Sequence, residues 1–194
     1  RWVMSIERGS MKVTETERTG VVGADLTNRI GIDADEIAWR KEYTRFSDED
    51  AQHLLDVSDV FEEIADELVE EFYQHLQTYD ETIAILDSSS KPIQALKRDQ
   101  QQYLIELGQG EYDQRYFDRR ARIGKLHDML DLGPKIYFGA YSIYYDGIVD
   151  TLAKRATEHL DAEATAAVER LTDQILAVQK LINLDQQVAM DTYI

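Results

Sequence analysis

The sequence predicts an all-α domain, and three observations carry that expectation. Only 10 Gly and 2 Pro fall among 194 residues, so long stretches are free of helix breakers. Apolar residues recur through those stretches at three- and four-residue steps, the spacing that lines one face of a helix. No segment reads as a strand. The length suits one well-buried domain, with or without tails.

The elements follow in order. Residues 1–24 mix charge, Thr and Gly without a sustained period, and we expect a flexible segment ahead of a single domain at 25–194. The chain does not start with Met, which suggests that part of this segment is flanking sequence. From Asp25 to Phe46, Ile30, Ile32, Ile37 and Trp39 alternate with charge, and Asp33 is placed to cap a short helix to Tyr43. Ser47 with Asp50 reads as a capping pair opening a helix through Leu55. Asp59-x-x-Glu62 opens the next, with Phe61, Ile64, Leu68, Phe72 and His75 or Leu76 along one face to about Tyr79. A loop at Ser88–Pro92 leads into a helix carrying Ile93, Leu96, Gln100, Tyr103, Leu104 and Leu107, which stops at Gly108-Gln109-Gly110.

The following helix starts near Tyr112-Asp113 and runs to about Leu130, and another runs from Pro134 to about Glu158. The last begins at Asp161, with Leu171, Ile175, Val178 and Ile182 on one stripe. No cap closes it, so we expect either more chain or a covering partner helix. Seven or eight helices without a repeat fit a globin-like fold, and by periodicity alone they fit a plain helical bundle equally well.

Composition narrows the function. Lys+Arg 21 against Asp+Glu 38 gives a net charge of −17, which makes nucleic acid and anionic membranes poor partners. Only 8 Lys stand beside 13 Arg, and an acidic, Lys-poor surface suits high salt, where screening removes self-repulsion. We read a halophilic source; a merely acidic mesophilic protein is the plainer alternative. The absence of Cys excludes disulfides and thiolate chemistry. No apolar run is long enough to span a bilayer and no signal-peptide core is present, so a cytoplasmic location is expected.

The chemistry concentrates in RIGKLHDMLDLGPKIYFGAY, Arg122 to Tyr141. Ile123, Leu126 and Leu130 line one helix face and His127 lies on it. Gly133-Pro134 ends that helix and starts one bearing Tyr137, Tyr141 and Tyr144 at helical spacing. A histidine there is either a packed core residue or a neutral donor to a metal, and haem needs an apolar slot with one axial donor. Tyr73 in LVEEFYQHL likewise either packs at the core edge or presents a buried phenol donor. His75 is offset by two residues from Tyr73, a poor spacing for a shared face. His53 and His159 sit among polar neighbours and read as solvated.

RIGKLH with its Gly-Pro-Lys turn and IYFGAY resembles the proximal region of globin-coupled sensors, specifically the haem-based aerotaxis transducers. The stretch RIGIDADEIAWRKEYTRF resembles the segment before their globin core, and LDQQVAMDTYI resembles the junction to a methyl-accepting signalling region. The likeness covers about Arg29 to the C-terminus. It implies a globin fold with an extra N-terminal helix, haem b on His127, and a distal hydrogen bond from Tyr73. It further implies a pocket of Phe72, Leu96, Asp99, Gln100, Ile123, Leu130, Leu132 and Tyr137. Asp99 stands where some members have Thr, and a carboxylate beside a bound gas is unfavourable unless protonated or turned away, which leaves Gln100 as the polar helper. Ile136 replaces a common Trp, and Arg119, Arg122 and Lys125 are either propionate partners or solvated.

The resemblance therefore implies a haloarchaeal oxygen sensor domain, not an enzyme, that binds O2, with CO and NO as competing ligands. Its output would be aerotaxis through a C-terminal methyl-accepting region and a chemotaxis kinase. The last two helices are expected to form a homodimer as an antiparallel-like four-helix bundle. Two other classes stay open: a globin-type haem enzyme such as a dioxygenase or peroxidase, and a haem-free helical interaction module.

Overall fold

The computed structural model describes residues 12–192, and ten helices lie among them. They are α1 (Glu15–Thr19), α2 (Gly23–Ile30), α3 (Ala34–Thr44), α4 (Asp48–Asp56), α5 (Ser58–Leu76), α6 (Asp80–Ser88), α7 (Ile93–Leu107), α8 (Gln114–Met129), α9 (Pro134–Thr157) and α10 (Ala162–Asp191). No strand occurs among the described residues. The starts of α1, α3, α4, α8 and α10 are set by short polar side chains that satisfy first-turn amides, each worth about 1 kcal/mol. Asp33 accepts from Glu36, Ser47 and Asp50 form a reciprocal box, Asp113 accepts from Arg115 and Tyr116, and Asp161 accepts from Ala164.

The chain departs from the expected helix list at two places. The helix expected to reach Tyr79 stops at Leu76, and the chain turns into α6, which the sequence did not announce. Thr82 explains the corner: its buried hydroxyl donates to the carbonyls of Leu76 and Tyr79, joining the end of one helix to the start of the next. The segment set aside as flexible holds α1 and the start of α2, while its residues 1–11 lie outside the described residues. The backbone amide of Val13 donates to the Ser88 carbonyl at 3.1 Å, and Val13 is buried.

Burial organises the helices around α5. It packs between α7 and α9, α10 runs along α9, and α2 lies on α8. The core is Leu68, Val69 and Tyr73 of α5, Leu104 of α7 and Tyr144 of α9. Close approach of α5 and α9 requires Gly147, where a Cβ would come within 2.5 Å of Leu68 Cδ1. The N-terminal helices are docked by polar contacts to α8. Thr27 Oγ1 donates to Asp118 at 2.6 Å, Gln114 donates to the Ile32 carbonyl at 3.0 Å, and Arg122 Nε donates to the Val21 carbonyl at 3.0 Å. Gly23 permits that contact, because a Cβ there would lie 2.0 Å from the Asp118 carbonyl oxygen.

Along the α9–α10 seam one amide is buried. Asn183 is 3% exposed, donates to Ser142 Oγ at 3.2 Å and accepts from Gln179 at 3.2 Å. The other side of α10 carries Leu171, Ile175, Val178, Leu181, Ile182 and Val188, each 44–68% exposed.

Candidate functional site

The end of α8 aims the site. Met129 closes the helix, Asp131 takes a left-handed φ of 57°, Gly133 caps the next helix and Pro134 is its first residue. This tight return brings the Tyr137 ring to 5.6 Å from the His127 ring in edge-to-face geometry. Nδ1 of His127 is buried and has no hydrogen-bond partner. Burial holds the imidazole pKa below its ordinary value, so the ring is neutral at pH 7 and able to donate to a metal.

His127 faces an apolar cleft of two adjoining lobes, each ≈ 120 Å³. Tyr73, Leu96, Gln100, Ile123, His127 and Leu130 line both lobes. Phe72, Leu132 and Tyr137 complete the first lobe and Asp99 borders the second, so all ten candidate residues meet in one place. Phe72 stacks on Tyr144 with ring centroids 4.8 Å apart. Tyr73 is 6% exposed, and among the described residues its hydroxyl has no hydrogen-bond partner. Burial, reinforced by the Asp99 charge, pushes its pKa far up, so it stays a phenol and a donor.

Asp99 is turned toward Lys91, with which it forms an ion pair on the exposed side of α7. Gln100 Nε2 donates to the Tyr144 hydroxyl. The stripe on α9 is joined by hydroxyls: Tyr141 bonds Tyr103 of α7 on one side and Tyr137, at 2.8 Å, on the other. Burial pushes Tyr103 up to about 12 and raises Tyr141 and Tyr144 further, so these three phenols are uncharged.

The candidate propionate partners point elsewhere. Arg119 pairs with Glu106 at 2.9 Å, Lys125 with Asp128, and Arg122 binds the carbonyls of Val21 and Arg18. The basic side chain that does border the cleft is Arg18 of α1, which sequence reading missed because its segment has no apolar period. His75 is exposed against Tyr79, and His53 and His159 are exposed as expected. Tyr103, Tyr141 and Tyr144 join the wall; their spacing was visible, but not their mutual bonding.

Among the described residues no group of three His, Asp or Glu is placed to hold a metal ion. One neutral imidazole in an apolar slot therefore suits a metal that brings its other donors with it in a planar organic frame. A family model described as Protoglobin matches residues 33–194. The chain is also similar to the heme-based aerotactic transducer HemAT of Halobacterium salinarum, 46% identical over 182 residues, which cover 94% of this chain and 37% of that protein. The chain thus spans little more than a third of that relative. No solved structure is a significant match. With a family model covering most of its length and the expected helices in place, the chain belongs to the protoglobin family.

Proposed function

We propose that this domain is the oxygen-sensing part of an aerotaxis transducer, with haem b held by His127. One observation carries the proposal: a buried, neutral, unpartnered imidazole shares an apolar cleft with a phenol hydroxyl that has no partner among the described residues. The orphaned Nδ1 and the apolar walls fit the group. When bound, haem supplies an iron with a free coordination position for O2, CO or NO. His127 would hold the iron through a ring nitrogen, and Tyr73 would donate the hydrogen bond that favours the more polar O2 over CO. Gln100 orients Tyr144, and the Asp99 carboxylate at the border of the cleft is paired with Lys91, which offsets its charge.

We read the domain as a sensor and not an enzyme, since its relative is named as a transducer. The proposal places it in the cytoplasm, upstream of a methyl-accepting region and a chemotaxis kinase. No described helix is long and apolar enough to cross a membrane.

The test is the absorption spectrum of the reduced protein before and after air. A five-coordinate ferrous form that becomes a stable oxy form supports the reading. Sustained oxygen consumption would overturn it in favour of an enzyme, and failure to take up haem would favour an interaction module. Tyr73→Phe is expected to speed O2 release about tenfold, the worth of one lost hydrogen bond, with a smaller change for CO by flash photolysis. Equal changes for both gases would remove Tyr73 from the role.

A homodimer is part of the proposal. Leu171, Ile175, Val178 and Ile182 repeat at 4-3-4 spacing on the outer side of α10, the seam of a helix bundle. Two copies would cover this stripe in a four-helix arrangement of α9 and α10. Ile175→Glu with Val178→Glu is expected to turn a dimer into a monomer in analytical ultracentrifugation, while the spectrum stays unchanged. A wild type that is monomeric at micromolar concentration would refute it.

A further inference from the structure

We propose that the domain has a second ligand site, for a hydrocarbon-chain monocarboxylate, in a cavity where α3, α4 and α5 meet α8 and α9. The cavity measures ≈ 580 Å³, inside the roughly 300–1,000 Å³ range of small-molecule sites. None of its lining residues borders the His127 cleft. The site does not rest on the haem reading.

The walls are apolar and aromatic: Phe46, Phe61, Tyr116, Phe117, Ile148 and Val149 contribute from four different parts of the chain. Only Phe61 of these is buried; the rest are half-exposed although they sit between helices, because each turns surface toward open space instead of a neighbour. The hollow opens to solvent and leaves an apolar face that a bound hydrocarbon chain would cover. An aromatic wall of this kind favours a hydrocarbon chain.

The mouth selects the head group. Arg40 and Lys41 of α3 border the cavity in a protein whose net charge is −17. Among the described residues Lys41 makes no ion pair. Arg40 is bound through Nε to Glu36 at 2.8 Å, which leaves its two Nη groups available. Two cations beside an otherwise apolar hollow are complementary to one carboxylate on a hydrocarbon tail, and a neutral lipid would leave them unanswered.

The site also has a physical route to the cleft. The Arg120 guanidinium lies 4.3 Å from the ring of Tyr116, one wall of the cavity, and 4.1 Å from the ring of Tyr103, one wall of the cleft. All three nitrogens of Arg120 are buried without a hydrogen bond, and the cation is held by the two rings together with the Glu106 carboxylate, 3.5 Å from Nη2. An occupant that moves Tyr116 therefore presses on Tyr103.

The experiment is calorimetric titration of the haem-loaded protein with decanoate, and with decanol as its neutral counterpart. Saturable 1:1 binding of decanoate is expected, about tenfold weaker for decanol and for the Arg40→Gln, Lys41→Gln double variant. Val149→Trp, which fills the hollow, is expected to abolish binding, and the milder Leu54→Phe to weaken it; far-ultraviolet circular dichroism confirms that each is folded. Haem should stay bound throughout the titration, read as an undiminished Soret band. The proposal is overturned by absent or unsaturable heats, by binding that ignores the filling variants, or by decanoate displacing the haem. A change of oligomeric state in Val149→Trp without decanoate heat would make this face a contact between copies instead.

Discussion

Alanine at position 127 is expected to leave the protein without a Soret band after haem supplementation, whereas the wild type acquires one. The reason is the donor set: among the described residues no other His, Asp or Glu cluster stands ready to take over the metal, and His75 faces away. A His127→Gly variant given free imidazole should recover the band, because the slot then holds the missing ring. Retention of a five-coordinate spectrum in His127→Ala would place the ligand elsewhere. The same histidine gives the haem-free protein a pH signature. Its folded-state pKa is depressed by burial, so the unfolded chain binds a proton that the folded one refuses as pH falls below about 6.5. Stability attributable to His127 is complete above that pH and is lost as pH falls toward the folded value. Urea unfolding between pH 8 and 5 should show this slope in the wild type and a flatter one in His127→Leu.

Leu104→Ala is expected to cost about 2–5 kcal/mol in urea unfolding, the largest effect of any core truncation in the α5–α7 contact. Leu104 is 1% exposed and sits in the cluster of Leu68, Val69, Tyr73 and Tyr144. The loss combines the transfer of the removed methyl groups with a cavity that neighbouring helices cannot close, since Gly147 already brings α9 as near to α5 as Leu68 allows. Leu104→Met keeps the volume and should cost under about 1.5 kcal/mol. If the two variants were equally destabilised, the packing argument would fail. The void also adjoins Tyr103, so the alanine variant should hold haem less tightly than the methionine variant, read as faster haem transfer to an acceptor protein.

Much of this arrangement was legible in the chain because it is local. Asp33 and Ser47 cap helices where their side chains said they would, and Asp113 and Asp161 cap helices whose starts were placed there, since capping is local. Asp59, by contrast, does not cap α5, which opens at Ser58 without a side-chain cap. His127 and Tyr73 reached one cleft because each lies on an apolar stripe of a long helix. The failures are non-local. The helix α6 has no side-chain cap at its start, and its corner is made by Thr82 reaching six residues back. Residues 1–24 read as flexible because they mix charge, Thr and Gly without an apolar period, yet Gly23 is there to let α8 approach. Asp99 looked like a threat to the pocket; its answer, Lys91, is eight residues away and its geometry needs the α6–α7 connection. No spacing could show Arg120 against both Tyr103 and Tyr116.

On the proposed sensing role, the buried amide of Asn183 limits how a signal would leave this domain. The α9–α10 seam is otherwise a surface along which one helix can slide past the other. A piston stroke of one turn, about 5.4 Å, would carry Asn183 away from Ser142 and strand its amide in the dry seam, at a cost of about 1–3 kcal/mol. Smaller tilts and rotations that keep the bond carry no such toll. The pair α9–α10 is therefore geared to move as one lever, passing torque along its length with its internal register locked.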